Sequence, residues 1–211
     1  MIHRISKRLE IIIVDGSRDN KSQEVIANLS KLHKNIKYVR GNIGQGINGL
    51  LKQGIEASSA DIVITYDDVM SIPPLELSRF YNLLASRRAD MVSGVRYVYP
   101  IKGQSLRQLN IIGNVIFSFI YSWLIKQHIS DPLCSIKGFY SNNFLKNQIS
   151  ADNISLDLLI KASEKKYRIR EIPVHYDSEV YSAYRPQTLS RVLKLSLGIL
   201  YGIWRLKIRY H

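Results

Sequence analysis

Glu10–Ser22, EIIIVDGSRDNKS, decides the fold class. Ile11 to Asp15 is an apolar run ending in a carboxylate, and it stops at Gly16. Such a run reads as a buried strand feeding a tight polar turn, with a helix start behind it. Asp15 sits at the carboxyl tip of that strand, and Ser17 and Asp19 follow within one turn. In open parallel sheets ligands bind outside the carboxyl ends of strands, where short acceptor side chains hold a base and ribose. The plainer reading is a strand, a glycine turn and an Asp or Ser helix cap with no ligand at all.

Residues 60–76, ADIVITYDDVMSIPPLE, repeat the pattern. Ile62–Tyr66 is a second apolar strand, ending in Asp67 and Asp68 before Pro73-Pro74 and a new helix. Parallel strands bring such ends to one sheet edge. Adjacent carboxylates there repel unless a cation lies between them, and hard oxygen donors suit Mg²⁺ or Mn²⁺ carrying a diphosphate. The alternative is that both aspartates merely cap the following turn.

Strands are expected at 9–14, 36–39, 61–66, 90–94 and 168–174. Helices are expected at 20–33, 45–58, 74–88, 105–127, 154–166 and 187–206. This alternation implies βαβ units and an α/β fold with a mainly parallel sheet. The loops at 97–105 and 177–186 are expected to be mobile and suited to closing over a substrate.

The motifs resemble those of family 2 glycosyltransferases with the GT-A fold, in the dolichyl-phosphate mannose synthase and polyprenyl-phosphate glycosyltransferase branch. That branch reads VVDDGSTDGT where this chain has IVDGSRDNKS, and DAD-L-x-x-PP where it has DDVMSIPP. It reads G-S-R where Gly94-Val95-Arg96 stand, then an Arg-led helix matched by Arg107-Gln108-Leu109 with Asn114. It reads D-P-x-C-G-F-K-A-F where Asp131–Phe139 read DPLCSIKGF, and G-Y-R-I-x-E-x-P-V where Lys166–Val174 read KYRIREIPV. The order holds from about residue 9 to residue 176.

The resemblance implies a Rossmann-like nucleotide-diphospho-sugar transferase domain over residues 1–184, N-terminally short, with a basic amphipathic helix at 185–211. Family members carry a P-x-Y-N-E strand and a helix ahead of the VDDGS strand; here Met1–Arg8 stand ahead of Leu9. By resemblance, Asp15, Gly16, Ser17, Asp19 and Gly46 bind the nucleotide. Asp67 and Asp68 hold Mg²⁺ or Mn²⁺ in a weakened site, because Val69 replaces a usual aspartate. Arg96 and Arg107 anchor the acceptor phosphate, and Asp131 lies near the reaction centre. The implied donor is a nucleotide-sugar and the implied acceptor a lipid phosphate. Asp157 is read as solvated surface. Two other readings stand beside this one: a non-catalytic glycosyltransferase-like scaffold or partner subunit in a homo- or hetero-oligomer, and a basic nucleic-acid-binding α/β domain.

Charge and composition narrow the choice. The 211 residues suffice for one self-burying α/β core. A net charge of +13 calls for an anionic partner. The basic residues are not interleaved with aromatics in a nucleic-acid motif, which argues against nucleic acid. Arg185–His211 carries six Arg or Lys and no acid around an uncharged Leu195–Trp204, as in a helix lying on an anionic membrane. Gln108–Ile125 holds eighteen uncharged residues, with Asn110, Asn114, Ser118 and Ser122 recurring every four. That length is borderline for spanning a bilayer; one polar stripe reads better as interfacial or packed on the domain, and a buried core helix is the equal, plainer alternative. The single Cys134 has no disulfide or zinc partner, and reads as a small packing residue in a reducing compartment. The short apolar run after Met1–Arg8 is not a signal peptide. The expected location is cytoplasmic, peripheral to or monotopic on a membrane.

Overall fold

β-Branched runs and helical periods alternate along the chain, and the elements follow that alternation. The structure is a computed structural model. It describes residues 9–18, 20–42, 44–66, 72–96, 98–99, 107–143 and 153–177. In chain order these are β1 (Ile11–Asp15), α1 (Lys21–Leu32), β2 (Ile36–Arg40), α2 (Gly46–Ala57) and β3 (Ile62–Thr65). A 3₁₀ turn (Pro74–Glu76) leads into α3 (Leu77–Ala85), followed by β4 (Met91–Val95) and α4 (Arg107–Ile125). Then come β5 (Lys137–Tyr140), a 3₁₀ turn (Ser141–Asn143), α5 (Ile154–Glu164) and β6 (Ile169–Pro173). The helix expected at 187–206 and most of both loops expected to be mobile lie outside the described residues.

β1 and β2 pair in parallel, with Ile11 opposite Ile36 and Asp15 opposite Arg40. The other four strands form a sheet in the order β3-β5-β4-β6. β4 and β6 are parallel, as the βαβ reading expects. β5, which the sequence pattern does not reveal, runs antiparallel between β3 and β4. Its four residues, KGFY, carry a lysine and a glycine, so neither alternation nor a β-branched run marks them. Gly138 is needed there: a Cβ would come within 2.9 Å of Leu84, so the glycine lets α3 press onto the sheet.

Helices cover the sheet according to their apolar faces. α1 packs on β2; α2 packs on β1 and reaches β3; α3 lies over β3, β4 and β5. One core gathers Met91, Tyr121, Phe139 and the inner residues of α5. A second gathers Phe80, Leu84, Val92, Cys134 and Ile136. Two expectations are corrected. β1 is only half-buried along Ile12–Val14, and Ile11 is 40% exposed, because side-chain burial comes from what packs on a strand's face and its pair with β2 is a sheet of just two strands, with α2 packed on β1. Asp157 is buried rather than solvated, because α5 is enclosed along most of its length; Lys161 one turn on meets its carboxylate at 2.7 Å. Of the polar stripe of α4, Asn114, Ser118 and Ser122 bond the 128–130 loop of the domain.

α3, α4 and α5 end alike. Arg87, Lys126 and Lys166 take left-handed backbone angles (φ 57°, 55° and 54°), a conformation usually left to glycine. The following amide reaches back to close each turn: Arg88 to Leu83, Gln127 to Ser122, Tyr167 to Ala162. A cation at a helix C-terminus complements the carbonyl dipoles and offsets part of the cost of the left-handed angle.

Phe80, wholly buried between α3 and the sheet, sets the scale of this packing. Phe80→Ala is expected to lower the unfolding free energy by about 3–5 kcal/mol, measured by urea denaturation followed by circular dichroism.

Candidate functional site

Several of the polar residues singled out in the sequence follow the carboxyl ends of β1, β3 and β4 in the chain. At the tip of β1, Asp15 is buried and closes its own turn. It accepts from the Ser17 amide at 2.8 Å, from the Tyr38 hydroxyl at 3.2 Å and from Arg40 Nη1 at 3.3 Å. Burial alone would raise its pKa; the Ser17, Tyr38 and Arg40 contacts outweigh that and hold it below the ordinary value. Two glycines keep this tip narrow. A Cβ on Gly16 would come within 2.6 Å of Leu50, and one on Gly41 within 2.3 Å of the same side chain. Leu50 of α2 therefore closes against both strand ends. Gly46, the first residue of α2, has φ 65° and open space where a side chain would stand. Asp19 lies outside the described residues.

β3 ends at Thr65, and Asp67 and Asp68 lie outside the described residues. The hydroxyl of Tyr66 donates to the carbonyl of Ile72, which holds together the two residues that bracket this segment. Among the described residues no group of three His, Cys, Asp or Glu side chains could hold a metal ion.

The best-defined constellation lies beyond β4. Arg96 Nε donates to Asp131 Oδ2 at 2.8 Å, Nη2 to Oδ1 at 2.9 Å, and the Arg96 amide to Oδ2 at 3.1 Å. This is the parallel two-pronged geometry in which guanidinium and carboxylate bind best. Asp131 is fully buried. Burial pushes its pKa up, but the charge and hydrogen bonds of Arg96, with Lys137 behind them, win and hold the carboxyl below its ordinary value. The two sequence-singled residues Arg96 and Asp131 thus meet directly, though 35 positions apart. Arg96 also lies over the Tyr176 ring, 5.7 Å from its centroid. Arg107 is the first residue of α4.

Three charged residues not singled out in the sequence complete this centre. Lys137 of β5 is fully buried and donates to the Cys134 carbonyl, and burial lowers its pKa against the pull of Asp131. Glu171 of β6 accepts from the Ser130 amide at 2.8 Å, the Ser130 hydroxyl at 2.9 Å and the Asp131 amide at 3.4 Å. It therefore clamps the loop that carries Asp131. Glu76 meets Arg79 Nη1 and His175 Nδ1, each at 2.7 Å, and His175 stacks on Tyr99 with centroids 4.2 Å apart. These contacts lace the end of β4 to the end of β6. Lys137 and Glu171 stand within the quoted runs DPLCSIKGF and KYRIREIPV; Lys137 is the one cation among apolar and small residues, whereas Glu171, beside Arg168 and Arg170, carries no signal of burial. Burial raises the Cys134 thiol pKa to about 12, which excludes it as a nucleophile near neutral pH and agrees with a packing role.

A family model described as glycosyl transferase family 2 matches residues 1–146. The dolichyl-phosphate hexose transferase of Haloferax volcanii is 27% identical over 172 residues, covering 80% of this chain and 70% of that protein. Among solved structures, mannosyl-3-phosphoglycerate synthase from Rubrobacter xylanophilus superposes with a TM-score of 0.64 at 14% identity, over 97% of this chain and 66% of that one. Glucosyl-3-phosphoglycerate synthase from Mycobacterium tuberculosis, in complex with Mn²⁺, UDP and glucosyl-3-phosphoglycerate, gives 0.55 at 15% identity, over 87% and 63%. The chain therefore spans just under two thirds of these solved structures. The likenesses establish the GT-A fold.

The buried pair makes a stability prediction. A carboxyl held below its ordinary value of 3.8 stabilises the fold fully above that pH, and its contribution is lost as pH falls toward the depressed value. Asp131→Asn is expected to cost about 3–5 kcal/mol at neutral pH, as when one partner of a buried pair is removed. It should also flatten the acid limb of a stability-against-pH curve measured by urea denaturation.

Proposed function

Because this chain belongs to glycosyl transferase family 2, we propose that it moves a sugar from a nucleotide-sugar donor to a polyprenyl phosphate at a membrane surface. The observation that carries the reading is that matched polar positions stand at strand carboxyl ends: Asp15 ends β1, Arg96 follows β4, and Asp131 is locked to Arg96. Strand ends of this kind are where α/β sheets take nucleotides. The name of the Haloferax relative supports a lipid-phosphate acceptor, and the manganese and UDP of the mycobacterial complex support the donor side.

The roles follow from the chemistry. Asp15 and Ser17, with Asp19, hold base and ribose, while Gly46 lets the first turn of α2 approach a phosphate, which helix N-termini favour. Asp67 and Asp68 offer hard oxygen donors of the kind that suit Mg²⁺ or Mn²⁺, and they would hold the ion with Val69 contributing nothing. A divalent ion bound there supplies charge to offset the leaving diphosphate. The acceptor phosphate is already ionised near neutral pH, so no strong general base is needed. Arg96 and Arg107 anchor it through guanidinium forks. Asp131 fixes the plane of the Arg96 fork, and Glu171 fixes the loop that carries Asp131. The chain works on the cytoplasmic side, peripheral to the bilayer.

Titration calorimetry with UDP and GDP, each with Mn²⁺ or Mg²⁺, tests the donor side. One nucleotide should bind in a metal-dependent way, and no binding under any combination ends the transferase reading in favour of a scaffold. Asp67→Ala is expected to lower sugar transfer to a short-chain prenyl phosphate by on the order of a hundredfold. Far-ultraviolet circular dichroism should be unchanged. Wild-type rates in this variant would remove Asp67 from the metal site.

A further inference from the structure

We propose that His175 is a positioning residue for Arg96: braced by Glu76, it holds Tyr99 in the chain that leaves Arg96, and it holds harder when its ring is charged. The inference rests on the phosphate-anchoring role proposed for Arg96. Nothing in the chain marks these residues as a group. Glu76 closes the run IPPLE, Tyr99 lies three positions after Arg96, and His175 lies two after the last residue of β6. The fold brings them to one junction. Glu76 is buried, and its two oxygens are divided between two partners. Oε2 accepts from Arg79 Nη1 and Oε1 faces His175 Nδ1, each at 2.7 Å. The same Arg79 nitrogen donates to the Pro173 carbonyl at 2.7 Å, which pins the start of α3 to the end of β6. Burial raises the Glu76 pKa, but the contacts with His175 and Arg79 outweigh it and hold the carboxyl below its ordinary value. An ionised carboxylate only accepts, so the facing Nδ1 carries a proton.

The edge of the imidazole thus meets Glu76, and its face meets Tyr99. The two rings stack with centroids 4.2 Å apart and planes 6° from parallel. The next residue, Tyr176, takes the Arg96 guanidinium over its ring. Consecutive residues leaving β6 therefore hold Arg96 and Tyr99, three positions apart. Asp131 fixes the Arg96 fork from the opposite side. A guanidinium held at its fork and through the chain behind it loses less freedom on binding a phosphate.

Histidine is the side chain that both stacks on an aromatic ring and changes charge between pH 5 and 8. Its neutral form gives Glu76 one hydrogen bond. Its charged form makes that bond ion-to-ion, roughly twice as strong, and sets a cation against the Tyr99 ring. With its side chain 63% exposed, the ring exchanges protons with water. Among the described residues, the charged and titratable groups around it are Glu76 and Arg79 from the turn and α3, and Tyr99 and Arg96 from the segment after β4. Tyr176 and Asp177 follow it in the chain. Arg79 opposes a charged ring, but it shares the Glu76 carboxylate, and Arg96 is matched by Asp131. Glu76 decides the sign: the contact tightens as pH falls through the range in which imidazoles gain a proton, and it loosens as pH rises.

His175→Phe, at an exposed position, keeps a stacking ring and removes the charge, and its urea stability should match wild type. With a short-chain prenyl phosphate in detergent, this variant should raise KM about tenfold at pH 6 and little at pH 8.5, with kcat within about twofold. The ratio of variant to wild-type KM cancels the titration of the phosphate itself. Glu76→Gln should show the same loss of pH dependence. A second readout does not need transfer. The chain has five histidines, so the His175 Hε1 proton resonance is assigned by its absence in His175→Phe. The Tyr99 ring should displace it upfield relative to Tyr99→Leu, and by more at pH 6 than at pH 8.5. A KM ratio indifferent to pH, or an effect on kcat in place of KM, makes His175 a packing residue and overturns the proposal. So does an Hε1 resonance that Tyr99→Leu leaves in place. No transfer to any prenyl phosphate by the wild-type chain ends the acceptor reading and the role given to Arg96, whereas a Tyr99-dependent displacement that grows toward pH 6 still supports the charge-dependent contact.

Discussion

The two-pronged bond between Arg96 and Asp131 is the constraint on which the junction of β4, β5 and β6 depends. It is made between the tip of β4 and a loop that precedes β5, so it joins two strands that also pair with each other. Two buried charges taken from water are costly, and they are tolerated only when matched closely in geometry and sign. Here the match extends past the pair. Lys137 lies behind Asp131, and Glu171 holds the Ser130 and Asp131 amides from β6. Two cations and two carboxylates therefore offset one another at the meeting point of β4, β5 and β6.

This centre explains why the loop 128–136 has a defined path. Its early residues are bonded by the serines and asparagine of α4, its middle by Glu171, and its end by Thr65, whose hydroxyl donates to Ser135 at 2.8 Å. Cys134 then packs over Gly94, where any Cβ would come within 2.8 Å of the sulfur. Asn114 carries the one blemish: its Oδ1 is buried without a partner among the described residues. A buried acceptor left unmet is costly.

The same economy governs α4. With Asn114, Ser118 and Ser122 turned to the 128–130 loop, α4 presents Val115, Ile116, Phe119 and Trp123 on its outer face. The positioning of Asp131 and the exposure of Phe119 and Trp123 are two consequences of one helix orientation. The β1–β2 pair is organised differently. Its tip is held by Asp15 within a single turn and closed by Leu50 against two glycines, so its order is local rather than shared with the larger sheet.

Much of the architecture was legible in the chain itself. Apolar runs ending in carboxylates located β1 and β3, helical periods located α1 to α5 to within a few residues, and the run DPLCSIKGF marked the loop that matters. The sequence determined these because strand and helix periods, turn residues and caps are local properties. Only tertiary structure decided the rest. β5 has no strand signature and exists because β3 and β4 flank it. Asp157 looks solvated in sequence and is buried because α5 is enclosed. The stripe of α4 could have faced either way until the 128–130 loop supplied carbonyls for it. Arg96 and Asp131, 35 residues apart, became a pair because sheet pairing is non-local, and no spacing rule along a chain encodes which distant charges a folded core will force together.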